Sequence, residues 1–139
     1  MDYSAEIQKD AFLNYARLSY EVGNAYEPVP QVITNYLKTY PNDEHQEEMQ
    51  TLLVDSYITS KNFAGAMKLL EENKNYASKS VYQKVAYYRG IELFMEGDYA
   101  AASENLAKSL SSAEDMLFKA RASYWKAEAD YLSNRFDDA

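Results

Sequence analysis

The chain has no cysteine, which excludes disulfides, thiolate metal sites and thiol nucleophiles. The same absence leaves the compartment open, cytoplasmic or periplasmic, because reducing and oxidising spaces both tolerate it. Histidine occurs once, as His45, too few to complete an imidazole metal set. Glycine and proline are scarce, at four and three residues, so little interrupts long helices. Basic side chains number 14 against 22 acidic ones, a formal net charge of -8. So acidic a chain lacks the Lys/Arg stripe that displaces counterions from nucleic acid, and an anionic membrane surface repels it. No apolar run approaches the roughly 18 residues of a spanning helix, which argues against membrane insertion. Residues 1–10 are polar, without the apolar stretch of a leader. No GxSxG, phosphate-cradling glycine loop or HExxH is present.

What is abundant is tyrosine, at 14 residues, within a hydrophobic fraction of 47%. That composition fits a globular chain, and the length suits one domain over residues 1–139. Apolar residues recur at helical spacing nearly throughout, and no run alternates as a strand would. Ile7, Ala11, Tyr15, Leu18 and Val22 predict one buried stripe on a helix over 3–22. Gly23 ends it, and Pro28 suits the first turn of the next, which Pro41 stops near Tyr40. Asp43 with Gln46, Ser80 with Gln83, and Ser112 with Asp115 read as capping boxes for three further helices. Asn62 and Asp98 read as caps of two more. The seventh helix is predicted to reach Ser133, with an eighth beginning at Arg135.

A short motif recurs through this helical pattern. A turn residue and a polar residue precede an aromatic, with a small residue three later. Gly97-Asp98-Tyr99 with Ala102 is the clearest copy, followed by Lys61-Asn62-Phe63 with Ala66. Asn134-Arg135-Phe136 with Ala139 is a third, and Gly23-Asn24-Ala25-Tyr26 with Val29 carries one inserted residue. The aromatics at 26, 63, 99 and 136 are spaced by 37, 36 and 37 residues. A period in this range predicts stacked units, approximately 8–42, 43–79, 80–112 and 113–139. The last unit stops part-way, which suggests a segment of a longer array.

These residues resemble the tetratricopeptide repeat family over nearly the whole chain. Gly90 with Leu93, Gly97-Asp98-Tyr99 and Ala102-x3-Leu106 match its repeat. So do Val54 with Tyr57, Asn62-Phe63 and Ala66-x3-Leu70, while Ala16, Gly23, Tyr26 and Pro41 mark the first copy and Ala127 and Phe136 the last. The period exceeds the family's usual 34, and Ser19 and Asp130 stand where it has bulky residues. The resemblance implies an all-α fold of antiparallel helix hairpins stacked as a right-handed solenoid. Its small positions have a physical reason, since paired helices cross closely there.

The resemblance also implies which stripe of each first helix faces the concave side. The stripes are Asp10, Leu13, Arg17 and Tyr20; Glu48, Thr51, Asp55 and Ile58; Lys84, Tyr87, Ile91 and Phe94; and Arg121, Tyr124, Glu128 and Tyr131. The candidate peptide groove is therefore Arg17, Tyr20, Asp55, Lys84, Tyr87, Ile91, Arg121, Tyr124, Glu128 and Tyr131. Its later part combines aromatic faces with cations that suit acidic groups or a carboxylate. Inter-repeat packing is an equal reading for Tyr87 and Tyr124, whereas Tyr88 and Trp125 read as core. Arg17, Asp55 and Glu128 occupy the positions of the family's Asn-and-Lys carboxylate clamp, so that role is not expected.

No catalytic set emerges. His45 lies among Asp43, Glu44 and Glu47, which reads as an acidic helix start complementing the dipole. Adjacent acids such as Glu47-Glu48 and Glu71-Glu72 diverge by about 100° on a helix and do not converge on a substrate. The sequence thus predicts a non-enzymatic interaction scaffold without cofactor or metal, partnered by a protein or peptide. The alternatives are a spacer or self-assembly segment of a cell-envelope assembly protein, associating through its open C-terminal end, or a regulatory module of a larger enzyme.

Overall fold

The structure, a computed structural model, describes residues 3–112 and 114–137, and side chains as far as Asn134. Its described residues form seven α-helices, one 3-10 turn and no strand. The chain forms two compact units, Met1–Ser60 and Lys61–Ala139, whose boundary falls inside the expected 43–79 repeat.

The first unit holds α1 (Tyr3–Val22), α2 (Val29–Thr39) and α3 (Gln46–Thr59), with α2 packed on both neighbours. Its core is Leu13 and Ala16 of α1, Val32, Ile33 and Tyr36 of α2, and Met49, Leu53 and Val54 of α3. Phe12 sets its ring edge against Tyr36 at 5.4 Å and against Tyr40 at 6.0 Å. The stripe expected to be buried on α1 points the other way. Ile7, Tyr15, Leu18 and Val22 are all exposed, Leu18 by 56% and Val22 by 74%. The helix has two apolar faces, and the one of small residues, Ala16 and Ser19 beside Leu13, allows the close approach. The bulky face forgoes burial that is worth about 1.5–3 kcal/mol for each fully covered side chain.

The second unit holds α4 (Phe63–Glu72), a 3-10 turn (Lys74–Tyr76), α5 (Lys79–Met95), α6 (Tyr99–Ser111) and α7 (Met116–Asp137). Contacts at Ser109–Gln83, Leu106–Tyr87 and Ala102–Leu93 run α6 antiparallel to α5. Phe118 joins the Tyr87–Leu106 cluster and Ala129 the Leu93–Ala102 cluster, so α7 runs parallel to α5 and antiparallel to α6. The crossing of α5 and α6 is tightest at Gly90, where an added Cβ would lie 2.8 Å from the Leu106 side chain. This is the close approach for which the small residue at 90 was expected.

The turn motif works as its residues suggest in three copies. Gly23 (φ 85°), Lys61 (φ 59°) and Gly97 (φ 88°) all adopt the left-handed conformation that ends a helix. Asn62 Oδ1 then accepts the Gly65 amide at 2.9 Å, and Asp98 Oδ1 the Ala101 amide at 3.3 Å. The copy at 134 does not turn, because α7 continues through Asn134 to Asp137 without a break. There is accordingly no new helix start at Arg135, a residue with no acceptor oxygen to cap one. The side chain of Phe136, and the expected small residue Ala139, lie outside the described residues.

All three expected capping boxes are also replaced, Ser112 closing α6 rather than opening α7. Ser78, not Ser80, caps α5 by accepting the Val81 amide at 3.2 Å. His45 precedes α3 without a side-chain cap, while Asp43 is drawn into the interior of its unit. At α7, Asp115 Oδ1 accepts the Leu117 amide at 2.9 Å.

Candidate functional site

The expected groove residues separate into two settings. In the first unit they bond to one another. Arg17 of α1 forms a two-pronged pair with Glu48 of α3, Nε to Oε1 and an Nη to Oε2, both at 2.8 Å. The geometry suits a guanidinium fork on a carboxylate. Glu48 is held below the usual carboxylate range by that hydrogen bond with Arg17. His45 Nδ1 approaches within 3.4 Å of Glu48 and 3.5 Å of Arg17, which closes the cluster. Further along, the Tyr20 hydroxyl donates to Asp55 Oδ2 at 3.3 Å. Burial and the Asp55 carboxylate push that hydroxyl's pKa up, so it remains a neutral donor.

Beneath this wall sits a polar hub that the sequence did not reveal. Asp43 has a side chain only 3% exposed, ion-paired with Lys9 and accepting the buried Tyr36 hydroxyl at 2.6 Å. Its Oδ2 also accepts the His45 amide at 3.2 Å. Burial alone would raise the carboxyl, but Lys9, Tyr36 and the His45 amide outweigh it and hold the pKa down at about 2. The sequence signal is an acid directly after the Pro41-Asn42 turn, which reads equally well as a cap. The hub ties α1, α2 and the start of α3 together.

In the second unit the expected residues divide again. Tyr87 is 8% exposed, enclosed by Leu106, Phe118 and Ala122, with its ring edge-on to Phe118 at 5.3 Å. It is core and offers no face to a ligand, which resolves its two readings in favour of packing. Burial pushes its hydroxyl up against the pull of the neighbouring Arg121 guanidinium. Tyr88, read as core, is half open, but its ring stacks on Phe63 at 5.1 Å. Trp125 packs against the core cluster and lies edge-on to Phe94 at 5.2 Å and to Tyr124 at 5.1 Å.

The remaining residues are available. Tyr124 is 59% and Tyr131 63% exposed, and Arg121 and Glu128 share their open face of α7. Alongside, α5 presents Lys84 and half-buried Ile91. Lys84 Nζ lies 5.7 Å from the centre of the Phe118 ring, within cation–π range. Among the described residues Lys84, Arg121 and Glu128 take part in no ion pair.

A fixed backbone supports this face. Gln83 of α5, read as a capping residue, is instead fully buried. Its amide oxygen accepts the Glu114 and Asp115 amides at 3.2 and 3.0 Å, and its nitrogen donates to the Asp115 carbonyl at 3.0 Å. That clamp fixes the start of α7 against α5. At the far end, Asp130 accepts hydrogen bonds from Lys126 and from Ser103 of α6, which hold its pKa down.

A separate hollow of about 310 Å³ is lined by Lys74, Ser78, Lys79, Tyr82, Ser111 and Ser112. Its Tyr82 hydroxyl donates to Glu71 at 2.7 Å and its Ser78 hydroxyl caps Val81, so both are already engaged. Among the described residues no three His, Asp or Glu side chains converge to hold a metal, and no helix is long and apolar enough to cross a membrane. Compared with protein-family models, with curated proteins and with solved structures, the chain matches none.

Proposed function

We propose that this chain is a tetratricopeptide-like repeat scaffold, and that it binds an extended peptide of a partner protein along α5 and α7. The observation behind the reading is the pairing of exposed Tyr124 and Tyr131 with the charges of Lys84, Arg121 and Glu128, unpaired among the described residues, on two parallel helices. Aromatic rings supply area at low entropic cost, and unpaired cations give direction to a ligand bearing acidic groups. The 36–37-residue period of the turn motif supports the repeat reading, as do its left-handed turns at Gly23, Lys61 and Gly97. Arg17, Tyr20 and Asp55 serve in this reading as wall, since their polar groups already serve each other.

The test uses Trp125, the chain's one tryptophan, whose indole touches Tyr124 and whose emission reports occupancy of this face. A panel of extended acidic peptides is titrated against wild type, an Arg121→Ala/Tyr124→Ala double variant and an Arg17→Ala control. Affinity should drop at least tenfold in the double variant and stay level in the control. Binding that persists unchanged without Arg121 and Tyr124 would remove the site from this face.

A further inference from the structure

The outward face of α1 carries an exposed apolar stripe. Ile7, Ala11, Tyr15, Leu18 and Val22 all project within about a third of the helix circumference. The stripe leads to Tyr26, which is 94% exposed. At that end a hollow of about 180 Å³ is lined by Tyr15, Leu18, Val22, Gly23, Ala25 and Tyr26. Its size suits one large apolar side chain, since a cavity of roughly 150 Å³ accepts a benzene ring.

The hollow is a product of the inserted residue in the first turn. Asn24 Oδ1 accepts the Tyr26 and Glu27 amides at 2.8 and 3.0 Å, and its Nδ2 donates to Tyr15 at 2.8 Å and Ser19 at 2.9 Å. The Tyr15 hydroxyl in turn donates to Glu27 at 2.7 Å. A turn bonded in this way is pre-shaped rather than collapsed.

Two observations say what fits there. The first is register. Counting back from the motif's turn position at 23, 61, 97 and 134, Ala11 aligns with Met49, Val85 and Ala122, and Leu18 with Ser56, Glu92 and Ala129. All of those counterparts except Glu92 are buried. The helices that carry them, α3, α5 and α7, each pack on the helix before it. At Ala11 and Leu18 the open stripe of α1 thus falls on positions that are mostly buried in α3, α5 and α7. The second is charge. Both α1 cations are consumed within the unit, Lys9 by Asp43 and Arg17 by Glu48. The edge of the stripe carries exposed Glu6, Asp10 and Glu21, none in an ion pair among the described residues. A second copy would bring the same acidic edge and would be repelled, whereas a basic edge would be attracted.

We propose that this face docks an amphipathic α-helix from a partner protein, apolar on one side, bearing lysine or arginine along the adjoining edge, with one large apolar residue seated in the hollow beside Tyr26. The site is independent of the peptide face on α5 and α7. The probe is a labelled designed peptide of about 15 residues, with leucines at i, i+3, i+4 and i+7 beside a lysine edge. It is followed by anisotropy against the whole chain. A second peptide carries glutamate in place of lysine. The lysine peptide should bind at least tenfold more tightly than the glutamate one. Leu18→Glu should weaken it at least tenfold at unchanged helicity, which an exposed position permits. Glu6→Lys/Asp10→Lys/Glu21→Lys should invert the preference between the two peptides. Equal binding of both, or indifference to Leu18→Glu, would overturn the proposal. So would sedimentation showing that the chain pairs with itself through this stripe and separates on Leu18→Glu.

Discussion

The two units solve the same problem with different chemistry. In the first, α1 and α3 are held across the wall by charge, Arg17 to Glu48, with Lys9, Asp43 and Tyr36 in a buried hub. In the second, α5 and α7 are joined by the Tyr87–Phe118 aromatic contact, the Gln83 clamp and the approach of Lys84 to the Phe118 ring, and among the described residues no ion pair bridges them. The consequence is functional. Where ion pairs hold helices together, their charges are spent on structure. Where rings and an amide do so, Lys84, Arg121 and Glu128 form no ion pair among the described residues, and in the proposed reading they meet the ligand.

The sharpest way to break that contrast is to truncate a ring that joins α5 to α7. Tyr87→Ala removes a buried aromatic, and large-to-small changes of this kind cost about 3–5 kcal/mol. Urea unfolding should register that loss, and hydrogen exchange should place it in α5–α7. A Tyr87→Ala protein as stable as wild type would show that the ring is not core.

Asp43→Ala tests the first unit. It leaves the fully buried Tyr36 hydroxyl without its acceptor, at an expected loss of about 2–3 kcal/mol. Exchange should rise in α1–α3 and little in α5–α7. The same group predicts an acid dependence. Its pKa in the folded state is depressed to about 2, below the value of about 3.9 in an unfolded chain. The stabilisation is therefore complete above pH about 4 and is lost as pH falls through 2. Glu48, also depressed, acts with the same sign. Acid titration of the wild type should release exchange protection in α1–α3 over that window, and Asp43→Asn should flatten the profile.

How much of this was legible beforehand follows from where each signal resides. The turns were legible because their chemistry is local: Gly23 and Gly97 relieve a left-handed backbone, and Asn62 and Asp98 cap within three residues. The close approach at Gly90 was legible for the same reason, since only a small residue permits it. The direction of α1 was not. Periodicity finds an apolar stripe but cannot choose between two, and Ile7, Leu18 and Val22 outweigh Ala16 and Ser19 in bulk. The roles of Gln83 and Asp43 were hidden because a side chain placed to cap its own helix can instead bond a distant one. Asn134 stays helical, because an Asn-Arg pair resembles the motif without supplying the glycine or the acceptor that enforces the turn. Within the candidate groove, spacing set Tyr87 and Tyr124 on one stripe. Contact with Phe118 and Ala122 decided that the first is core.

A smaller effect of opposite sign is expected where the units meet in sequence. Lys61 is the one turn residue of the motif that is left-handed without being glycine. A side chain in that conformation costs about 1–2 kcal/mol, and glycine's greater freedom in the unfolded chain offsets part of the relief. Lys61→Gly should therefore stabilise by about 0.5–1 kcal/mol, read as a modest rise in melting temperature. A lowered one would mean that the Lys61 side chain makes a compensating contact.

The least effect on stability belongs to Tyr124→Ala, and that is what makes it the most informative change on the candidate peptide face. Tyr124 is more than half exposed, with Trp125 its one ring neighbour among the described residues. Exposed positions of this kind shift stability by no more than about 0.5 kcal/mol. Urea midpoints of the variant and wild type should coincide, while the Trp125 emission changes at once because its edge-on neighbour is gone. Placed beside Tyr87→Ala, the pair separates two tyrosines that share a stripe: one lowers stability, the other only recognition. If Tyr124→Ala also unfolded the second unit, its ring would be structural and the peptide face would shrink to Lys84, Arg121, Glu128 and Tyr131. If it left both stability and peptide affinity untouched, the contrast between a self-paired wall and an open one would have no functional meaning.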